Sequence, residues 1–305
     1  MRRRPFFCVL FLLLLLPLYS WGEESAVEIE PLEESAVFPP EEYSFSRSRV
    51  YRYQSDTLIY SIERFSLDGV ICYLSKIWVQ DPARQIGKAT AEWEKDIRKP
   101  SAMVKDIPEA VLISNGSGYV SPRYPGIPDS YPGTSEDYYY TPLGSLTVTD
   151  GEVFRNLQGV PYYGLTLEED GLHMYTGADN EEVLASHPLQ TWSFYEQCGL
   201  ARDGESLLPA PHEWPFADRS HRRSVIARVN RNNYLMLHVT RSDDRGLSLH
   251  RVNNFLLKNF QTEWIYNLDG GPSSTLLYRQ KVKRPRLIEL VKNGQQVADV
   301  IYFTE

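Results

Sequence analysis

A run of polar and glycine residues near residue 270 holds the groups most able to do chemistry. An apolar stretch ends at Leu268, and the carboxylate of Asp269 follows it. Two glycines and two serines come next, Gly270, Gly271, Ser273 and Ser274. Glycine lets backbone N–H groups approach a ligand, and serine hydroxyls can donate to phosphate or sugar oxygens. Because Asp-Gly-Gly also suits a tight turn, a ligand-binding loop and a structural turn both remain open.

A second unusual segment runs from Asn115 to Pro142 and contains six tyrosines and five prolines without helical or strand periodicity. Tyrosine rings offer contact area at low entropic cost, and their hydroxyls can bond to sugars. Long ordered loops often bind ligands. One interpretation is a sugar-binding rim that includes Tyr138, Tyr139 and Tyr140. The other is a surface loop stiffened by proline.

Several familiar catalytic motifs are missing from the sequence. It has no G-x-S-x-G, H-E-x-x-H, C-x-x-C or P-loop motif. The six histidines are scattered with no pair at ligand spacing, so a zinc site is not expected. The sequence identifies no cofactor and no metal ligands with certainty, although Asp269 could hold a divalent cation.

The elements that must position these groups are mostly short β-rich stretches from Val50 onward, without a regular βαβ period. Asp68-Gly69 predicts a hairpin turn, and residues 247–260 have apolar side chains near helical spacing. We therefore expect a single α+β domain with a largely antiparallel mixed sheet and few helices. The predicted strands are 57–65, 70–79, 144–149, 162–167, 224–229, 234–240 and 263–268, and the further predicted helices are 88–97 and 101–110.

The N-terminus has the pattern of an export signal. Residues 1–22 hold three arginines, an apolar run and small residues before Glu23, which is typical of a cleaved signal peptide. The apolar run is shorter than the roughly 20 residues of a membrane-spanning helix. Glu23 to Glu42 contains eight glutamates and neither lysine nor arginine. We predict a signal peptide at 1–22, an acidic disordered spacer at 23–46 and one domain at 47–305.

Charge and cysteine content narrow the class further. The formal net charge is −8, and the sequence shows no clustered basic footprint of the kind that binds nucleic acid. Nucleic acid is therefore not an expected partner, and no transmembrane anchor is expected after signal cleavage. Two cysteines outside the signal, Cys72 and Cys198, could form one long-range disulfide or remain two buried thiols.

The order of several sequence blocks resembles the phosphodiester glycosidase family. The run from Asn267 to Thr275 is similar to the family's N-L-D-G-G-G-S-S-T signature, with Pro272 in place of the third glycine. Proline there removes one backbone donor and fixes φ. Other blocks match in the expected order over roughly residues 57–280: 78–82, 113–116, 192–194 with 203–204, 222–226 and 245–249.

The resemblance implies a hydrolase that breaks the bond between an anomeric carbon and a phosphate oxygen. It implies Asp269 as the acid–base or nucleophilic carboxylate, with Asn115 and Asn267 as orienting groups. A guanidinium fork fits phosphate oxygens, so Arg223, with Arg222 as the alternative, is the predicted phosphate clamp. Gly270, Gly271, Ser273 and Ser274 would complete the substrate contacts.

The expected protein is thus a secreted or cell-envelope, extracytoplasmic bacterial enzyme whose partner is a carbohydrate phosphodiester or a cell-surface glycan. The alternative is a non-catalytic glycan-binding or exopolysaccharide-assembly protein on the same fold. Turnover of a sugar-1-phosphate ester separates the two.

Overall fold

Antiparallel strands make up most of the regular structure in the computed structural model, which describes residues 46–93, 95–120, 140–194, 197–240, 246–292 and 295–305. Sheet I has eight strands. In spatial order they are β1 (Arg47–Gln54), β2 (Leu58–Leu67), β3 (Val70–Val79), β14 (Asn233–Val239), β13 (Ser224–Asn230), β15 (Trp264–Asn267), β11 (Gly199–Arg202) and β12 (Glu205–Ser206). Neighbours in this sheet are antiparallel throughout.

Two five-stranded antiparallel sheets complete the fold. Sheet II consists of β7 (Glu152–Asn156), β6 (Leu146–Thr149), β10 (Gln190–Ser193), β8 (Tyr162–Glu168) and β9 (Gly171–Ala178). Sheet III consists of β17 (Arg286–Val291), β16 (Leu276–Gln280), β5 (Ala110–Asn115), β18 (Asp299–Thr304) and β4 (Ile86–Thr90). The predicted α+β class with largely antiparallel sheet is confirmed.

The described helices are short. They are α1 (Pro82–Gln85), α2 (Pro100–Met103), α3 (Asn180–Ala185), α4 (Pro215–Asp218) and α5 (Leu249–Asn259). Helix α5 confirms the helix predicted at 247–260, with both ends within two residues, and its N-cap Ser248 accepts a hydrogen bond from the Arg251 N–H. The predicted helix at 88–97 is wrong, because residues 86–90 form β4 and pair with β18.

The hairpin predicted at Asp68-Gly69 is confirmed. Both residues have positive φ, 50° and 77°, and they join β2 to β3 with Leu67 opposite Val70. This geometry is what a two-residue turn between twisted strands requires. The turn therefore fixes the register of both strands over their whole length.

Side chains alternate along the strands of sheet I and so form two cores. Tyr60, Ile77 and Met236 face sheets II and III in one apolar cluster that also contains Trp192 and Ile301. The opposite face packs under α5, in a second cluster with members such as Phe65, Leu237, Val252 and Phe255. Strands β13 and β14 are consequently buried on both faces over most of their length.

The predicted signal peptide and the spacer up to residue 45 lie outside the described residues. No helix of the described residues is long and apolar enough to cross a membrane. Cys72 and Cys198 are both buried and not bonded to each other, so the two-thiol alternative applies.

A candidate active site where three sheets meet

Strand ends from all three sheets come together around residues 114–118 and 266–275, and we call this region the junction. Asn115 ends β5, Ser224 begins β13 and Asn267 ends β15, and Val225 lies opposite Asn267 in the ladder. From sheet II, the Ser193 N–H donates to the Ser117 hydroxyl at 3.2 Å. The antiparallel register therefore gathers residues that are more than 100 positions apart in the chain.

Asn115 holds this junction together. Its side chain is 0 % exposed. The amide Nδ2 donates to the Asp269 carbonyl at 2.6 Å, and Oδ1 accepts from the Ser224 hydroxyl at 2.8 Å and the Thr275 N–H at 3.0 Å. The amide thus links β5, β13 and the loop after β15, which gives Asn115 a positioning contact to the backbone of Asp269.

Asp269 lies on the loop between β15 and β16, and its side chain is partly buried. Its N–H donates to the Gly116 carbonyl at 3.1 Å, and its Oδ1 accepts from the Gly270 N–H at 2.8 Å. Burial raises the pKa of Asp269 to about 7, and the charge of Asp299 raises it further, while hydrogen bonds from Ser273 and Gly270 oppose the shift. A carboxyl group with this pKa can give or accept a proton near neutral pH.

The two glycines after Asp269 permit close contacts with the segment before β13. A Cβ on Gly270 would lie 2.9 Å from the Arg222 carbonyl oxygen. Gly271 has φ of +58°, and a Cβ there would lie 2.7 Å from the His221 Nε2 atom. Pro272 is exposed in a 3-10 turn over Gly271–Ser273, a position that accommodates proline. The exchange of glycine for proline at 272 therefore leaves this turn intact.

Arg223 is 1 % exposed, which excludes a solvated surface charge. Its Nε donates to the Leu247 carbonyl at 3.3 Å, and its Nη2 donates to the carbonyls of Phe216 and Arg219 at 2.9 and 2.6 Å. Nη1 has no hydrogen-bond partner among the described residues. Burial lowers the pKa of Arg223 to about 10, so the guanidinium remains charged at neutral pH. The structure thus holds a buried cation with one nitrogen, Nη1, whose N–H groups have no acceptor among the described residues.

Two further buried polar atoms, at the end of β15 and in the loop that follows it, lack partners in the described part of the chain: the Asn267 Oδ1 and the Ser274 hydroxyl. Both side chains are 0 % exposed. The Asn267 Nδ2 lies 3.8 Å from the Cys198 sulfur, and Cys198 also interacts electrostatically with Arg223. Buried polar atoms are usually paired, so a polar ligand that reached this loop would find unused hydrogen-bonding atoms there.

Arg222, the predicted alternative clamp, lies at the edge of this region, and its buried Nε has no partner among the described residues. Its Nη1 donates to the Lys292 carbonyl at 3.2 Å, beyond the end of β17, and its own carbonyl accepts from the Gly271 N–H at 3.0 Å. Its side chain is partly exposed. Arg222 therefore borders the junction toward sheet III, whereas Arg223 is held within it.

The sequence analysis missed a second buried carboxylate, Asp299. Its Oδ1 accepts from the Ser117 N–H at 2.6 Å, and its Oδ2 accepts from the Ser117 hydroxyl at 2.8 Å. Lys88 Nζ lies 3.5 Å from Oδ2, and both side chains are 0 % exposed. A Cβ on Gly116 would collide with the Asp299 carboxylate. The only signal in the sequence was a carboxylate within an otherwise apolar stretch.

His221 was also missed, although its ring lies against Gly271 and its backbone pairs with Leu247. The tyrosine rim stays a prediction: Tyr138 and Tyr139 lie outside the described residues. Tyr140 has φ of 63°, and its N–H donates to the Val120 carbonyl at 2.7 Å.

A cation site involving Asp269 has no support from clustered ligands. Within the described residues, the group of His and carboxylate atoms close enough to share an ion is Glu168, Asp170 and His173, all within 4.8 Å of one another. This group lies at the turn between β8 and β9, outside the junction.

Comparison with known proteins supports the sequence resemblance. A family model described as phosphodiester glycosidase matches residues 108–304, a span that includes all the junction residues except Lys88. None of the curated proteins matches the chain.

Two solved structures share the fold. The catalytic domain of zebrafish N-acetylglucosamine-1-phosphodiester alpha-N-acetylglucosaminidase, auto-inhibited by its pro-peptide, is 18% identical with a TM-score of 0.60, over 86% of this chain and 89% of that one. A hypothetical protein from Synechocystis is 12% identical with a TM-score of 0.51, over 82% of this chain and 63% of that one. At these identities the likeness shows the fold alone.

Proposed function

Because this chain belongs to the phosphodiester glycosidase family, we propose that it hydrolyses the glycosidic bond of a sugar-1-phosphodiester, such as an α-N-acetylglucosaminyl phosphodiester. The observation that carries the proposal is Asp269, a carboxyl group with a pKa of about 7 inside the span that the family model matches. Arg223, a buried guanidinium whose Nη1 has no partner among the described residues, is the candidate phosphate ligand.

Arg223 suits the phosphate of such a substrate. Its Nη1 keeps two N–H donors that can bond to phosphate oxygens. The Nε and Nη2 donors are already bonded to the carbonyls of Leu247, Phe216 and Arg219. The guanidinium is therefore held in place, and its remaining donors need little reorganisation to receive the developing negative charge. Asn267 and Ser274, each with a buried polar atom that has no partner in the described residues, would add further polar contacts.

Asp269 is the candidate carboxylate for the reaction at the anomeric carbon. The leaving group is a phosphate monoester whose second pKa is about 6, so it can depart without being protonated. The carboxylate is then free to act in its ionised form, either by attacking the anomeric carbon or by taking a proton from the water that does so. In both cases the bond between the anomeric carbon and the phosphate oxygen breaks, and the electron pair leaves with the phosphate.

Asn115 and Asp299 would not contact the substrate but would hold the residues that do. Asn115 fixes the carbonyl of Asp269, and Asp299 fixes Ser117 beside the Gly116 carbonyl that accepts from the Asp269 N–H. We assign both as positioning residues. The predicted secreted or cell-envelope location suits a substrate in extracellular polysaccharide or envelope glycan.

The experiment is a turnover assay on the purified protein with an α-N-acetylglucosaminyl phosphodiester, following release of free N-acetylglucosamine. A matched control substrate carries the same sugar on a simple alcohol instead of phosphate. We expect release from the phosphodiester and far slower release from the control, because only the former engages Arg223.

Binding of the phosphodiester without release would favour the alternative, a glycan-binding or assembly protein on the same fold. Equal release from both substrates would remove Arg223 from the proposed role.

A further inference from the structure

A group of unpaired cations lies at the tip of the β16–β17 hairpin. Residues 279–286 hold five lysines and arginines and no acidic residue, a basic cluster that the assessment of charge from the sequence overlooked. Lys283, Arg284 and Arg286 are exposed and form no ion pair within the described residues. We call these three residues the basic tip.

The basic tip borders an open recess. The recess has a volume of about 430 Å³ and is lined by Gln280, Val282, Lys283, Arg284 and Arg286. The neighbouring basic residues are already occupied: Lys281 Nζ pairs with Glu305 at 2.9 Å, and Arg279 donates to the Ala110 carbonyl at 3.0 Å. The basic tip therefore carries positive charge that the fold itself does not use.

The hairpin connects the basic tip to the candidate active site. Strand β17 is an edge strand of sheet III, and it runs from Arg286 to Val291. The next residue is the exposed Lys292, whose carbonyl accepts from the Arg222 side chain. At about 3.3 Å per residue, this path is roughly 20 Å long. Cations thus stand at both ends of an edge strand that leads to Arg222.

We infer that the basic tip and the β17 edge bind an anionic polymer with recurring phosphodiesters, a chain of which one unit reaches the junction. The inference rests on the proposed function, whose substrate class it narrows from small phosphodiesters to polymeric ones. A single phosphate needs only Arg223. Cations roughly 20 Å away contribute only when the ligand extends that far.

An extended polymer fits this surface better than a flat anionic membrane, because the cations stand in two groups at opposite ends of β17, on either side of the exposed Glu289. Each exposed contact is weak alone. Several contacts on one chain raise the effective concentration of the next, so they add up in affinity. Binding of this kind releases counterions and weakens steeply with salt.

The test compares two triple variants of the full chain for binding to a synthetic poly(glycerol phosphate). The first is Lys283→Gln, Arg284→Gln, Arg286→Gln at the basic tip. The matched control is Lys99→Gln, Lys105→Gln, Lys258→Gln, which changes net charge equally at exposed lysines on other elements. Thermal unfolding confirms that both remain folded.

We expect the first triple to bind about tenfold or more weakly at low salt, and the slope of log affinity against log salt to become shallower by about one per cation removed. The control should bind like the wild type. Equal losses in both variants would mean a net-charge effect and overturn the inference, and so would unchanged binding by the first triple.

Two further arms separate the other polyanions and the proposed function. Equal or tighter wild-type binding to single-stranded RNA or to anionic phospholipid vesicles, lost in the same triple, would overturn the assignment to a phosphodiester glycan. Turnover of the small α-N-acetylglucosaminyl phosphodiester by the wild type is measured separately. Its failure with intact polymer binding would reject the proposed function and retain the surface.

Discussion

Two halves of the junction are equally buried but differ in how their polar atoms are used. The closed half, Asn115, Ser117, Ser224 and Asp299, forms hydrogen bonds among its own side chains and to nearby backbone. The open half, Arg223, Asn267 and Ser274, leaves three side-chain atoms without partners in the described residues. Burial alone therefore does not distinguish a polar group with a structural role from one that is available to bind a ligand.

The difference follows from what each half must do. A closed network rigidifies the backbone that it bonds to, and its value to stability depends on complete satisfaction. An open set costs stability, because each unpaired buried group keeps its desolvation penalty. Such a cost in stability is expected where a ligand supplies the missing hydrogen-bond partners. Asp269 lies where the two halves meet.

The largest expected effect is that of Asp269→Asn, which keeps shape and removes the charge. If the carboxylate acts in the transition state, hydrolysis of the phosphodiester should fall by roughly 10²–10⁴. The closed half holds the backbone of residue 269, so secretion yield and fold should be retained. Wild-type turnover by the variant, or its unfolding, would make Asp269 a structural turn residue.

The pH dependence sharpens the same test. Wild-type kcat/KM should rise with pH and level off above about 7, since the ionised form acts. A fall above that pH would instead identify Asp269 as a general acid.

The pH dependence of stability is a separate test of the same group. Folding raises the pKa of Asp269 from 3.8 to about 7, so the folded chain binds more protons than the unfolded chain between these values. The free energy of unfolding contributed by Asp269 therefore falls as pH rises through this window. Asp269→Asn should gain stability relative to the wild type over the same window, in chemical denaturation.

The next largest effect tests the closed half through its ion pair. Asp299→Asn leaves the Lys88 ammonium buried without a carboxylate, and breaking a buried pair typically costs about 3–5 kcal/mol. We expect a loss of this size in urea unfolding. The double variant Lys88→Met, Asp299→Asn should recover part of it. A cost below about 1 kcal/mol for the single change would show that the pair is not a structural centre.

Arg223→Lys tests the open half, and its expected effect is of intermediate size. Lysine keeps the charge but cannot reproduce both the contacts to Phe216 and Arg219 and the free donors. Hydrolysis should fall roughly tenfold to a hundredfold, below the 10²–10³ typical of deleting a transition-state donor. Unfolding free energy should drop by about 1–3 kcal/mol from the lost buried hydrogen bonds. Full activity with reduced stability would leave Arg223 a structural residue.

The smallest effects come from a matched pair of buried serines. Ser224→Ala removes a hydroxyl that donates to Asn115, so unfolding free energy should fall by about 1 kcal/mol. Ser274→Ala removes a hydroxyl without a partner in the described residues, so stability should stay within about 0.5 kcal/mol. Its kcat/KM should nevertheless fall about threefold to tenfold, the value of one hydrogen bond. The reverse pattern would erase the distinction between the two halves.

Much of the fold could be predicted from the sequence because it depends on local signals. The Asp68-Gly69 turn, the strand ending before Asp269 and the apolar spacing of α5 are each encoded within a few residues. The helix predicted at 88–97 failed because pairing with β18 overrides local propensity there.

The run from Asp269 to Ser274 and the order of the family blocks were also visible in the sequence, because they are contiguous. The family resemblance implied an orienting role for Asn115, but its partners and the role of Asp299 were decided only by the tertiary structure. The hydrogen bond from Asn115 to Asp269 spans 154 residues, and the bond from Ser117 to Asp299 spans 182. Such contacts arise from the antiparallel register and from packing among the sheets. No local pattern of side chains specifies which buried polar atoms that packing satisfies and which it leaves open.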